Sequence, residues 1–250
     1  MQIPMITAHA GCENTPRDSM DSIHAALPFR PDAVEMDVRL FEDGVLRISH
    51  NAVSAADYLD RPTLEQVFVL VADTGMKLNC DIKNAPALYS VLNMADRFGF
   101  RSDRLILSGC MSPEQLVRDF SILQKATVFL NIEEIFKFFY LSEQKVASTS
   151  EFISLMNAPW DFLRKAQISR GWFERAACFA RELKVSAVNL PHRLLMDETA
   201  ALFSALNVPV SVWTVNEPDL IDYCLKKNVL NITTLNVADA CKQHRSAFGC

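Results

Sequence analysis

The feature that most constrains this 250-residue chain is an alternation that runs from one end to the other. Apolar runs of strand length take turns with longer segments of helical period, a pattern that predicts parallel strands joined by crossover helices. The expected strands cover residues 6–9, 33–39, 77–83, 104–108, 127–132, 187–190, 210–215 and 231–234. Eight is the number that a closed (β/α)8 TIM-type barrel needs. Helix starts stand between them: Asp18 or Ser19 before 20–27, Thr63 before Leu64, Ser112-Pro113-Glu114, and Glu217-Pro218.

Two places break the rhythm. After the second strand, Glu42-Asp43-Gly44 is a turn signal followed by the apolar 45–50, so a small hairpin is expected there. Between strands five and six, residues 133–185 exceed one crossover and predict a helical insertion that carries Phe136, Phe138, Phe139, Tyr140, Trp160, Phe162, Trp172 and Phe173. Those aromatics suit the packing of an extra helical pair, and a cap over the barrel mouth is the other reading. No internal repeat, linker or charge block interrupts the chain, so residues 1–250 are expected to form a single domain.

Composition removes several classes. Half of the residues are apolar and 22% are charged, which excludes a disordered chain. The balance of 25 Lys plus Arg against 30 Asp plus Glu, net −5, argues against nucleic acid or an anionic membrane as partner. The first residues lack the pattern of a secretory signal, and Pro209 breaks the long uncharged stretch 199–216, so no membrane anchor is expected. Seven cysteines, without a Cys-x-x-Cys, read as reduced thiols of a cytoplasmic protein.

Chemistry concentrates where the early strands end. Glu35 and Asp37 are alternate residues of one strand, so their carboxylates share a face. Like charges so close need a positive partner. A hard divalent cation held with Asp81 of the next strand is one solution, and direct pairing with Arg39 or Lys83 is another. His9 and His50 add two groups that exchange protons near neutral pH. Lys83, on the face of Asp81, supplies positive charge to a phosphate. A metal that holds a phosphate between two histidines would make a phosphodiesterase site.

The ordered set His9-x-Gly11, Glu35-x-Asp37-Val38-Arg39-Leu40-x-x-Asp43-Gly44-Val45, His50, Asp81-Ile82-Lys83, Val212-Trp213-Thr214-Val215-Asn216 and Ile232-Thr233-Thr234 resembles the glycerophosphodiester phosphodiesterase family over nearly the whole chain. The resemblance implies a TIM-type barrel with its site at the C-terminal mouth. It also implies a divalent metal, Mg²⁺ or Ca²⁺ with Mn²⁺ as a further option, and hydrolysis of a small glycerophosphodiester to sn-glycerol 3-phosphate and an alcohol. Position by position, His9 and His50 match the acid/base histidines, and Glu35, Asp37 and Asp81 match the metal ligands. Lys83 and Trp213 match residues that line the phosphate and substrate pocket.

Departures from the family pattern cluster around the phosphate. Ala10 stands where the family has Arg, and Pro16-Arg17-Asp18-Ser19 replaces Pro-Glu-Asn-Thr. One guanidinium is lost and another gained in the same loop, so Arg17 is expected either to take over part of the phosphate contact or to be a solvated loop residue. His50-Asn51 replaces His-Asp, and Asp81 replaces a Glu. These changes leave two other readings: a catalytically silent barrel that binds a phosphorylated ligand, and a related phosphodiesterase acting on lysophospholipid-like substrates.

Overall fold

The computed structural model describes residues 3–143 and 170–249. Eight parallel strands close on one another: β1 (Met5–Ala8), β2 (Ala33–Leu40), β4 (Lys77–Ile82), β5 (Leu105–Gly109), β6 (Thr127–Asn131), β7 (Ala187–Pro191), β8 (Val210–Trp213) and β9 (Asn231–Thr234). Closure comes from β1, which pairs with β9 on one side and β2 on the other. The short β3 (Leu46–Ile48) folds back antiparallel on the end of β2, with Val38 opposite Ile48, as the Asp43-Gly44 turn signal predicts. The chain is a (β/α)8 TIM barrel.

The helices occupy the expected crossovers. They are α1 (Asp21–Ala26), α2 (Ala55–Tyr58), α3 (Leu64–Ala72), α4 (Ala87–Arg97), α5 (Pro113–Arg118), α6 (Ile122–Lys125), α7 (Ile132–Ser142), α8 (Arg170–Leu183), α9 (Asp197–Ala205), α10 (Pro218–Lys226) and α11 (Val237–Phe248). Thr63 and Ser112 start α3 and α5 with full capping boxes, closed by Gln66 and Gln115, which satisfy backbone donors that the first turn would leave orphaned. Asp18 caps nothing: α1 begins at Asp21 with no side-chain cap, and Asp18 is used in the active-site region instead.

The insertion is bracketed by α7 and α8. Phe136, Phe139 and Phe173 are buried in the core, and Phe136 meets Trp172 and Phe173 edge to face, so these aromatics bind the two helices together. Residues 144–169 of the insertion, with Trp160 and Phe162, lie outside the described residues, and the reading of a cap over the mouth lies with them.

Alternation along each strand sorts residues into a helix-facing shell and a barrel interior. At the floor of the interior Ala33, Ile106, Phe129 and Ala187 pack with Met5 and Leu230. Beside and above this floor the interior turns polar: Thr7, Glu35, Asn79, Ser108, Asn189, Ser211 and Asn231 are all buried. Asn231 ties this layer together, accepting from Thr7 Oγ1 at 2.6 Å and donating to Ser211 Oγ and Thr233 Oγ1 at 3.0 Å. The interior above the floor is thus closed by hydrogen bonds, and the charged groups sit on top of it.

Candidate active site

Strand register brings the acidic residues together. Asp37 of β2 lies opposite Asp81 of β4, and Glu35 lies opposite Asn79. Their carboxylate oxygens lie within 4.8 Å of one another. The Ser49 backbone N–H donates to Asp37 O at 2.9 Å, which sets the hairpin so that His50 reaches the same mouth. The His50 N–H in turn donates to Asp18 Oδ1 at 2.9 Å, and Asp18 is paired with Arg61 at 2.6 Å. His9 follows β1, anchored by its N–H on Thr234 O at 2.9 Å. Gly11, at φ 85°, turns the loop so that Arg17 returns to the cavity.

Lys83 Nζ lies 2.8 Å from Asp37 Oδ1 and 3.2 Å from Asp81 Oδ2, while the Ala10 N–H donates to Glu35 Oε2 at 3.0 Å. Arg39 does not join them; its Nη2 donates to the His50 carbonyl at 3.2 Å. Pairing with Lys83 is therefore real and incomplete. On each carboxylate a second oxygen, Glu35 Oε1, Asp37 Oδ2 and Asp81 Oδ1, is buried with no partner among the described residues. Ionised, the three carboxylates and one ammonium carry two negative charges. Such a donor set fits a hard divalent cation.

The electrostatics agree. Burial, then the charges of Asp37 and Asp81, push Glu35 well above the ordinary carboxylate range. Burial also raises Asp81, although Lys83 opposes it. For Lys83 burial works against the charge, yet Asp81 and Asp37 overcome it and raise its pKa. The position of Asp81 depends on Gly109 of β5: a Cβ at residue 109 would sit 2.0 Å from Asp81 Oδ1.

His9 Nδ1 lies 3.0 Å from the Ala10 carbonyl, which accepts only, so Nδ1 carries the proton and neutral His9 has its lone pair on Nε2. Burial lowers its pKa, which disfavours the charged imidazole 3.8 Å from Glu35 Oε2. His50 Nδ1 lies 2.9 Å from Asn51 Oδ1, which orients the second imidazole in the same way.

All eight residues singled out in the sequence, His9, Arg17, Glu35, Asp37, His50, Asp81, Lys83 and Trp213, line one cavity of about 190 Å³. Arg17 is exposed at its edge and makes no ion pair among the described residues. Asn79, Ser108, Asn131, Cys110 and Thr233 line the cavity too and were not anticipated as site residues, and Asn189, which as a strand-end residue could line the pocket, does so. The signal for most of them is period two: each stands at an inward position of its strand at the level of Glu35 or above. Asn216 is structural, accepting from the Leu235 N–H at 2.9 Å through its side chain. Another carboxyl passed over in the sequence is Glu133, in the first turn of α7, which burial pushes up to about 7.

No protein-family model matches the chain. A curated relative from Mycobacterium tuberculosis, a probable glycerophosphodiester phosphodiesterase 2, is 25% identical over 256 residues, covering 91% of this chain and 85% of the relative. Among solved structures, a putative glycerophosphoryl diester phosphodiesterase from Agrobacterium tumefaciens superposes with a TM-score of 0.73 at 13% identity, covering 98% of this chain and 99% of the other. A glycerophosphodiester phosphodiesterase from Parabacteroides distasonis gives 0.68 at 17% identity and 98% of both chains. An Oleispira antarctica phosphodiesterase in complex with the product sn-glycerol-3-phosphate gives 0.65 at 16% identity, covering 99% of this chain and 98% of the other. The solved structures carry the fold. In motif order and in overall sequence the chain is similar to the curated glycerophosphodiester phosphodiesterase.

Proposed function

We propose that the chain is a divalent-metal-dependent phosphodiesterase that hydrolyses glycerophosphodiesters to sn-glycerol 3-phosphate and an alcohol. The observation that carries this reading is the set of three orphaned carboxylate oxygens beside Lys83 and two imidazoles in one cavity. Glu35, Asp37 and Asp81 would hold the cation, Mg²⁺, Ca²⁺ or Mn²⁺, which when bound supplies Lewis-acid polarisation of the phosphoryl oxygens.

The chain's own groups do the rest. Lys83, held by Asp37 and Asp81, stabilises charge that develops on the phosphoryl group. His9 is the base: burial keeps it neutral, and its Nε2 lone pair takes the proton of the attacking hydroxyl, from water or from a neighbouring substrate hydroxyl. His50, oriented by Asn51, donates a proton to the leaving alcohol oxygen. Trp213 walls the alcohol or glycerol side, and Arg17 covers the edge of the phosphate position left bare by Ala10. A cavity of about 190 Å³ suits a small deacylated diester. The aromatics of the insertion that the structure describes are engaged in helix packing, which disfavours a lysophospholipid wall built from them.

Among the described residues no helix is long and apolar enough to cross a membrane. The free thiols of the described cysteines suit a reducing compartment, and we place the enzyme in the cytoplasm as one domain.

The test is a coupled assay of glycerol 3-phosphate release from several glycerophosphodiesters, with EDTA and with each metal, on wild type, His9→Ala and Glu35→Ala. Turnover that requires metal, and a loss of at least about 10²-fold in each variant, is expected. Metal-independent turnover, or full activity in either variant, would overturn the mechanism. Phosphate binding without turnover of any diester would leave a silent binding barrel.

A further inference from the structure

We propose that Asn189, held by Asn131, and Trp213 form a subsite that reads one hydroxyl of the glycerol moiety, on the barrel wall facing the carboxylate cluster. The proposal rests on the phosphodiesterase reading for the position of the phosphate. Its own basis lies in the opposite wall.

Around the barrel the order β2, β4, β5, β6, β7 places β7 four strands from β2, across the barrel from Glu35 and Asp37. Asn189 sits on β7 beside Asn131 of β6, and Trp213 ends β8 in register with Pro191 of β7. Asn189 is 8% exposed. Its Nδ2 donates to Asn131 Oδ1 at 2.9 Å, which fixes the amide and leaves Oδ1 buried without a partner among the described residues. Trp213 Nε1–H, a donor only, is likewise buried and unpartnered among the described residues. Both side chains line the cavity that holds the carboxylates.

A buried acceptor and a buried donor left open at one cavity are costly unless a ligand meets them. A hydroxyl is the smallest group that donates and accepts at once. A phosphate anchored at Lys83, and at a cation held by the carboxylates, would direct its ester carbons across the cavity towards this pair. A site built on unsatisfied polar atoms rejects an analogue lacking the hydroxyl, because its own groups then stay unpaired. The same pair turns away an acyl chain for the same reason.

The test compares binding of glycerol 3-phosphate and n-propyl phosphate by calorimetry, with Mg²⁺ present, to wild type, Asn189→Leu and Trp213→Phe. Wild type should prefer glycerol 3-phosphate by on the order of tenfold. Each variant should lose most of that preference, weakening glycerol 3-phosphate more than n-propyl phosphate. Trp213→Phe keeps the aromatic wall and removes only the N–H, so it serves where Asn189→Leu does not fold. The inference falls if wild type does not distinguish the two ligands, if it binds neither, or if the variants lose both equally. Because the readout is binding, a preference without diester turnover would uphold the subsite and overturn the phosphodiesterase reading.

Discussion

The two walls of the barrel mouth are built on different principles. Across β1, β2, the hairpin and β4 the wall is ionic, with Glu35 and Asp37 at 3% and 2% exposure and Lys83 bridging two carboxylates. Across β6, β7 and β8 it is neutral, made of Asn131, Asn189 and Trp213. Buried charge costs several kcal/mol per ion unless it is paired, so the ionic wall stands at an energetic disadvantage that a bound cation removes. The neutral wall carries a smaller cost, two unpaired hydrogen-bonding atoms. On the proposed function the first wall serves the reaction and the second serves selection, and variants separate them.

The largest effect belongs to the ionic wall. Glu35→Gln should lower turnover by about 10³-fold and abolish the thermal shift on adding Mg²⁺. Yet it should raise the stability of the metal-free protein by about 1 kcal/mol, or about 2–4 °C in Tm. The sign follows from burial and from Asp37 and Asp81, which lift Glu35 above its unfolded value. The folded metal-free protein then binds a proton that the unfolded chain releases, and its stability falls as pH rises from the ordinary carboxylate range towards the folded value. Gln removes that slope, which scanning fluorimetry in EDTA across pH will show. An unchanged slope would mean that Glu35 titrates normally.

Next comes His50→Ala. With an alkyl leaving group the loss should be about 10²-fold, and with a p-nitrophenyl diester, which needs no proton on departure, most of it should vanish. His9→Ala should hurt both substrates alike. The reverse pattern would exchange the two histidines' roles.

Arg17→Ala should lower kcat/KM by about tenfold, mostly through KM, as expected for an exposed guanidinium at the phosphate edge. Unchanged kcat/KM would make it a solvated loop residue. The smallest expected effect is that of Asn51→Asp. A carboxylate in place of the amide at His50 Nδ1 favours the imidazolium, so the limb of the pH–rate profile that reports the acid should move upward by up to about one unit.

The same contrast explains what could be read in advance. Glu35, Asp37, Asp81 and His9 stand out because charged and titratable residues inside apolar strands have few bland explanations, and the strand starts and ends follow from the same apolar runs. Asn189 in Val188-Asn189-Leu190 and Asn131 in the run 127–132 both look like ordinary strand-end residues. Their meaning depends on which neighbour each meets across the barrel, and pairing of β6 with β7 joins residues 58 positions apart. Asp18 illustrates the reverse error. Its type suits a cap, but contacts with His50 and Arg61, which lie far along the chain, claim it first.

Gly109 carries a consequence for how this barrel can change over time. The carboxylate of Asp81 occupies the space where a side chain at residue 109 would begin. Positions 81 and 109 on adjacent strands are therefore not independent letters. While Asp81 holds its present pose, every substitution at 109 meets both that carboxylate and a backbone at φ 88° that disfavours a Cβ. Moving the acid alone would not free residue 109, because the Ile82 carbonyl oxygen and amide nitrogen would lie 2.4 and 2.7 Å from the same Cβ, so the glycine is held by the neighbouring strand itself as well as by the acid.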